Sequence, residues 1–217
     1  MSNQTAESIA IELRGLEHGF GTRQVFGAVN ARLVAGQVGV VTGANGAGKS
    51  TLLRIVAGLL QARRGEANIT REGKPLDALT RRACIGYVAP DLTLYRELTG
   101  AENLQFFARL RGITLTREDL IAGLTEVGLR GRGKDFVGTY SSGMRQRLKY
   151  AFALLNRPPI LLLDEPTANL DEAGAAIVEQ IIANQRTRPG GGLTLLATNE
   201  PNETQWGDML IRLETKL

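Results

Sequence analysis

Gly43-Ala44-Asn45-Gly46-Ala47-Gly48-Lys49-Ser50 restricts the folds open to this chain more than any other stretch of its sequence. The segment fills the pattern GxxxxGK[ST] and follows VGVVT, an apolar run that reads as a strand. From Lys49 onward, Leu52, Leu53, Val56 and Ala57 fall on one helical side, and Gly58 supplies a stop. Strand, glycine turn and helix in this order make a cradle for phosphate. Glycines let the backbone wrap closely, and its N–H groups together with the helix N-terminus surround anionic oxygens. Lys49 can reach terminal phosphates, Ser50 can offer a hydroxyl to Mg²⁺, and Thr51 continues the phosphate-binding segment. A bare glycine turn also has a purely structural reading, but the full pattern in this context favours phosphate binding.

The 217 residues suit one domain, or one domain with an inserted lobe. With 43% apolar and 22% charged residues, folding is expected. The net charge of +4 is spread among mixed signs, so no nucleic-acid partner is expected. Cys84 is the only cysteine, which excludes an intrachain disulfide framework and a thiolate metal cluster and fits a reducing interior. The start MSNQTAESIAI lacks a secretory pattern, and no apolar run reaches membrane-spanning length. The expectation is a chain that neither exports itself nor crosses a bilayer.

Along the chain, IELRGL and the NARLVAGQVGVVTG region read as short strands separated by glycine-containing turns. Residues 84–88 look like a core strand, which Pro90 ends. Helical spacing recurs over 101–110, over 117–127 with Thr116 as a cap, and over 143–155. The stretch from about 90 to 155 is therefore a candidate helical lobe inserted in a single domain, 1–217. ILLLD at 160–164 reads as a buried parallel strand that delivers Asp164 at its C-terminal end, and a helix (173–185) and a strand (193–197) follow. Alternating strands and helices imply an α/β core with ligands beyond the strand ends. Asp164 is then a carboxylate that serves Mg²⁺ from behind its direct ligands or through water, and Glu165 the group that polarises attacking water, against the plainer reading of an acidic strand terminus.

These residues resemble the nucleotide-binding subunit of ATP-binding-cassette (ABC) transporters over nearly the whole chain. Tyr140-Ser141-Ser142-Gly143-Met144 falls where that family carries Leu-Ser-Gly-Gly-Gln, and Gln146 and Arg147 continue the match. Asn169-Leu170-Asp171 matches the loop after the catalytic strand, and Phe20 stands where the family stacks an aromatic on adenine. The resemblance implies a P-loop NTPase (RecA-like) α/β fold, with a parallel-sheet core, an N-terminal antiparallel β subdomain and the helical lobe. It also implies ATP and Mg²⁺ as cofactors, and ATP hydrolysis with Glu165, Lys49 and Asn199 at the reacting phosphate. Two ATP molecules would be sandwiched in a dimer, each between the phosphate loop of one subunit and Ser141, Ser142 and Gly143 of the other. A homodimer, a transmembrane permease subunit and a peripheral place on the cytoplasmic side of the inner membrane complete the expectation.

The chain departs from the family at three places. Pro90 stands at the usual glutamine, so Asp91 is the candidate to serve the metal through a shifted loop, its alternative being a solvated loop acid. Ala197-Thr198-Asn199-Glu200 replaces the usual histidine with Asn199, which can donate a hydrogen bond but does not titrate near neutrality. His18, the one histidine, reads as a surface or packing residue in a strand or turn. The signature carries Tyr140, Ser142 and Met144 in place of Leu, Gly and Gln. SSGM with QR, paired with ATNE, resembles a subset that includes the haem-exporter ATPase of cytochrome c maturation, which implies export, while the retained Lys49, Asp164 and Glu165 with no histidine at the switch lead to an expectation of slow to moderate hydrolysis. Tyr87, Leu92, Leu94 and Tyr95 are candidate permease anchors or, alternatively, core residues. Competing readings are a soluble ABC-type clamp or ribosome factor, and a small-molecule kinase, which leaves 140–147 and 169–171 unexplained.

Overall fold

The computed structural model describes residues 9–214. In chain order the elements begin β1 (Ile9–Phe20), β2 (Arg23–Val34), β3 (Val38–Thr42), α1 (Lys49–Val56), β4 (Arg64–Arg71), β5 (Lys74–Pro75) and α2 (Ala78–Ala83). They continue with β6 (Ile85–Val88), α3 (Gly100–Leu110), α4 (Arg117–Glu126), a 3₁₀ turn (Val137–Thr139) and α5 (Ser142–Ala153). The last are β7 (Ile160–Asp164), α6 (Glu172–Thr187), β8 (Leu193–Ala197), α7 (Pro201–Thr204) and β9 (Met209–Arg212).

Two compact units share these elements. The first comprises the chain up to Tyr87, Pro159–Pro166 and the chain from Ile182, and the second comprises Val88–Pro158 and Thr167–Ile181. The first unit carries an antiparallel sheet in the order β2-β1-β4-β5. A second sheet runs β6-β7-β8-β3-β9, with β3 parallel to both β8 and β9 and β7 parallel to β8. Its register sets Val41 opposite Ala197 and Ala197 opposite Asp164, so three strands end at one level. That level is where ligands bind in open parallel sheets.

Continuous apolar runs explain the parallel strands. Val38–Thr42, Ile160–Asp164 and Leu193–Ala197 are buried almost throughout, as strands covered on both faces require. Leu52, Leu53 and Val56 turn the apolar side of α1 into the same core as Ile11, Leu33 and Phe26. The strands β1 and β2 extend over 12 residues each, longer than the glycine-punctuated sequence suggests. Gly15 takes φ 54° inside a bulge rather than at a strand end. Its N–H donates to Asn30 Oδ1 at 2.7 Å, so the irregularity is satisfied and pairing resumes beyond it.

In the second unit, α3, α4 and α5 pack on one another. Each opens on a hydroxyl cap. Thr99 with Glu102 and Thr116 with Asp119 form capping boxes, and Ser141 Oγ accepts from the Met144 N–H. Asn103 is fully buried; its amide donates to Tyr95 O and accepts from Tyr95 N, both at 2.9 Å, and so fixes the loop before α3. Leu94 is buried and Tyr87 packs against the core of the first unit, so these two serve packing rather than an exposed anchor. Tyr95 is 48% exposed and meets Phe106 edge to face at 5.1 Å.

Candidate nucleotide site

The site begins where β3 ends. Gly43, Gly46 and Gly48 have φ of 152°, 80° and 95°, values that L side chains rarely adopt. Gly48 is also closely covered, since a Cβ there would lie 2.4 Å from Val25 Cγ1 and 2.8 Å from Phe26 Cδ1. It is the N-cap of α1 and makes no side-chain cap bond, which leaves first-turn N–H groups for an anion.

Lys49 is buried to 7% exposure and its ammonium has three acceptors: Gly43 O at 2.8 Å, Ala44 O at 3.1 Å and Asn199 Oδ1 at 2.7 Å. Burial pushes its pKa below the ordinary lysine value, and the negative charges of Glu165 and Asp164 oppose that shift. Asn199 Nδ2 in turn donates to Asn45 Oδ1 at 2.6 Å. Ser50 Oγ donates to Asp164 Oδ1 at 3.0 Å, joining the first turn of α1 to the end of β7. Glu165, the next residue, is exposed and sits at φ 50°. Its N–H is tied to Ala197 O at 2.9 Å, so the sheet holds a backbone conformation that costs about 1–3 kcal/mol for a residue other than glycine.

Lys49, Ser50, Asn45, Asp164 and Asn199 are therefore brought together by direct bonds in the first unit, with Ala47 buried beneath the loop and Thr51 on the first turn of α1. Phe20 lies in the same unit at the end of β1 and is 59% exposed. The signature residues belong to the second unit: Ser141 caps α5, Ser142 begins it, and Gly143 lies against the Asn169 carbonyl. Asp171 Oδ1 accepts from Gly174 N at 2.8 Å, as at a helix start. Asp91 is exposed in the second unit and acts electrostatically on Lys149. Lys149 donates to Pro90 O at 2.7 Å and to Ala89 O at 3.2 Å. Burial lowers its pKa, with Asp91 opposing. A pocket of about 410 Å³ beside it is lined by Leu92, Leu94, Arg96, Ser142 and Arg145. Sequence reasoning missed Lys149, whose loop partners lie far from it in the chain, and missed the cover of Val25 and Phe26 over Gly48.

Among the described residues no group of three or more His, Cys, Asp or Glu is placed to hold a metal. A hydroxyl and a carboxylate, Ser50 and Asp164, nonetheless suit Mg²⁺, which takes few protein oxygens and completes its shell with water and phosphate.

A phosphate loop at the C-terminal level of a parallel sheet, with a buried aspartate at the neighbouring strand end, defines a P-loop ATPase of RecA-like fold. Residues 26–168 match the family model described as ABC transporter, and the chain belongs to that family as an ATP-binding-cassette ATPase domain. It is 35% identical over 193 residues to a daunorubicin resistance ATP-binding protein of Streptomyces coeruleorubidus, covering 88% of this chain and 60% of that one. It is 38% identical over 175 residues to a cytochrome c biogenesis ATP-binding export protein of Xanthomonas campestris pv. campestris, covering 81% of this chain and 79% of that one. Among solved structures, the ATP-binding cassette MJ0796, in a dimeric post-hydrolysis state bound to ADP and Pi, matches with a TM-score of 0.80 at 25% identity, covering 94% of each chain. The chain thus spans less than two thirds of the length of the daunorubicin resistance relative.

Proposed function

We propose that the chain binds ATP with Mg²⁺, hydrolyses it as one half of a two-cassette homodimer, and energises export through a membrane permease. The observation that carries the nucleotide reading is the bonded set Lys49, Asn199, Ser50 and Asp164 at one end of the sheet. Ser50 and Asp164 would hold Mg²⁺, which when bound supplies positive charge to the phosphate oxygens. Lys49 has neutral acceptors in the free protein, and a phosphate oxyanion is a stronger one, so the ammonium transfers to the terminal phosphates. Glu165 accepts a hydrogen bond from the attacking water and fixes its direction. Asn199 offers Nδ2 to the γ-phosphate, and Phe20 offers a flat face to the adenine. Ser141, Ser142 and Gly143 present the start of α5 to the ATP held by the second cassette.

Export is supported by the cytochrome c biogenesis relative, named as an ATP-binding export protein, and by the SSGM and ATNE segments, which favour the haem-exporter subset. No described helix is long and apolar enough to cross a membrane, so the spanning part belongs to the permease in this reading. The permease meets the pocket lined by Leu92, Arg96 and Arg145, on the cytoplasmic side of the inner membrane. Affinity capture from detergent-solubilised membranes, with ATPase assayed on the same material, tests both halves. The expected result is a stoichiometric membrane protein with Mg²⁺-dependent turnover that falls roughly 10²- to 10⁴-fold in Glu165→Gln. Turnover equal to that of Glu165→Gln overturns the hydrolysis reading, and recovery of soluble partners alone overturns the transport reading.

A further inference from the structure

His18 is buried in β1 at 6% exposure, and neither ring nitrogen has a hydrogen-bond partner among the described residues. An imidazole so placed forgoes hydrogen bonds to water, a cost that an apolar side chain of similar volume avoids. The stability of the sheet therefore does not account for a histidine here. Its contacts do. The ring meets Phe20 edge to face, with centroids 4.8 Å apart and planes at 82°, and it meets Phe26 at 6.4 Å. Phe26 is fully buried and covers Gly48, the N-cap of α1. Packed rings thus run without a break from the exposed face of Phe20 to the phosphate loop. The pairing of β1 with β2 shifts register between Leu16 and His18 and again between His18 and Gly19. Such bulges re-aim side chains, and here they precede the exposed aromatic.

We infer that His18 is a positioning residue for the nucleotide base, holding the Phe20 ring at a set angle and distance from the phosphate loop. It makes the site favour a nucleoside triphosphate over a bare phosphate chain. The inference rests on the reading of Phe20 as the base platform.

Isothermal titration calorimetry on the full chain with Mg²⁺ tests it, comparing ATP with inorganic tripolyphosphate. His18→Leu deletes no hydrogen bond, so the fold is expected to persist. His18→Gln, which keeps a polar group and loses the ring, is the second variant. Both are expected to weaken ATP binding roughly three- to tenfold, the range for a lost edge-to-face pair, and to leave tripolyphosphate binding within about twofold. His18→Phe keeps the ring edge and restores ATP affinity. Equal loss for both ligands means a merely structural role and overturns the inference, as does unchanged ATP affinity. Phe20→Ala separates the two layers. Loss of ATP affinity in Phe20→Ala without loss in the His18 variants leaves the platform standing and removes His18 from it. No loss in Phe20→Ala removes the platform, and the inference falls with it.

Discussion

Asn199 accepts a 2.7 Å hydrogen bond from the Lys49 ammonium. An ammonium only donates, so the amide is oriented with Oδ1 toward Lys49 and Nδ2 toward Asn45 Oδ1, 2.6 Å away. A neutral residue thereby links the phosphate-loop lysine, the loop itself and the end of β8, without a group that titrates near neutral pH. In Asn199→Asp an anion faces Lys49 and repels phosphate, and ATP affinity is expected to fall by about tenfold or more. Asn199→His introduces a group with a pKa of about 6.5, so the kcat profile should gain an inflection near that pH that the wild type lacks. An unchanged profile would reject the placing of Asn199 at the phosphates.

Burial holds Lys49 below the ordinary lysine value of 10.5. The positive charge that attracts phosphate is complete below this lowered pKa and is lost as pH rises through it. ATP affinity should decline on an alkaline limb that begins below pH 10.5. Lys49→Arg, whose charge persists, should bind less well and show no such limb. The stability of the free protein has the opposite sign. The unfolded lysine keeps its proton to higher pH, so stability rises through the same window. Calorimetry and urea unfolding across alkaline pH would separate the two trends.

Under the proposed function, the bonded pair Ser50 and Asp164 holds Mg²⁺, and this sets a specific expectation. Asp164→Asn removes the charge and keeps the shape, and the Mg²⁺ concentration for half-maximal turnover should rise about tenfold or more. ATP binding without Mg²⁺ should change little. A Mg²⁺ titration that superimposes on the wild type would remove Asp164 from the metal.

Gly48→Ala combines two costs, a left-handed backbone and a Cβ pressed on Val25 and Phe26. The expected destabilisation is about 2–4 kcal/mol, read from urea unfolding. Gly46→Ala has φ 80° but no atom within 4 Å of the added Cβ, so it should cost less. Equal losses would mean that packing against β2 adds nothing.

The strands β3, β7 and β8, the helix α1 and the cap at Thr116 were legible because each rests on local rules. An apolar run ends in glycine or acid, and a hydroxyl precedes a helical period. Residues 59–83 and 200–217 carry no comparable local pattern, yet β4 joins β1 and β9 joins β3 through pairing between distant segments. Gly15 misled for a related reason: a glycine that ends one strand can serve as a bulge in another, and the partner strand decides. Within the site, motif residues were visible by type and spacing. The bond from Lys49 to Asn199, the burial of His18 and the grip of Lys149 on the Pro90 loop depend on which strands lie side by side.

The helices α2, α3, α4 and α5 open on side chains of their own that bond their first N–H groups, whereas α1 opens on Gly48 and makes no such bond. In thermodynamic terms the nucleotide is then the missing cap of α1. The first turn of α1 is already formed, held by Lys49 and Ser50 through their side chains, so a bound phosphate would add to its stability in proportion to ligand concentration.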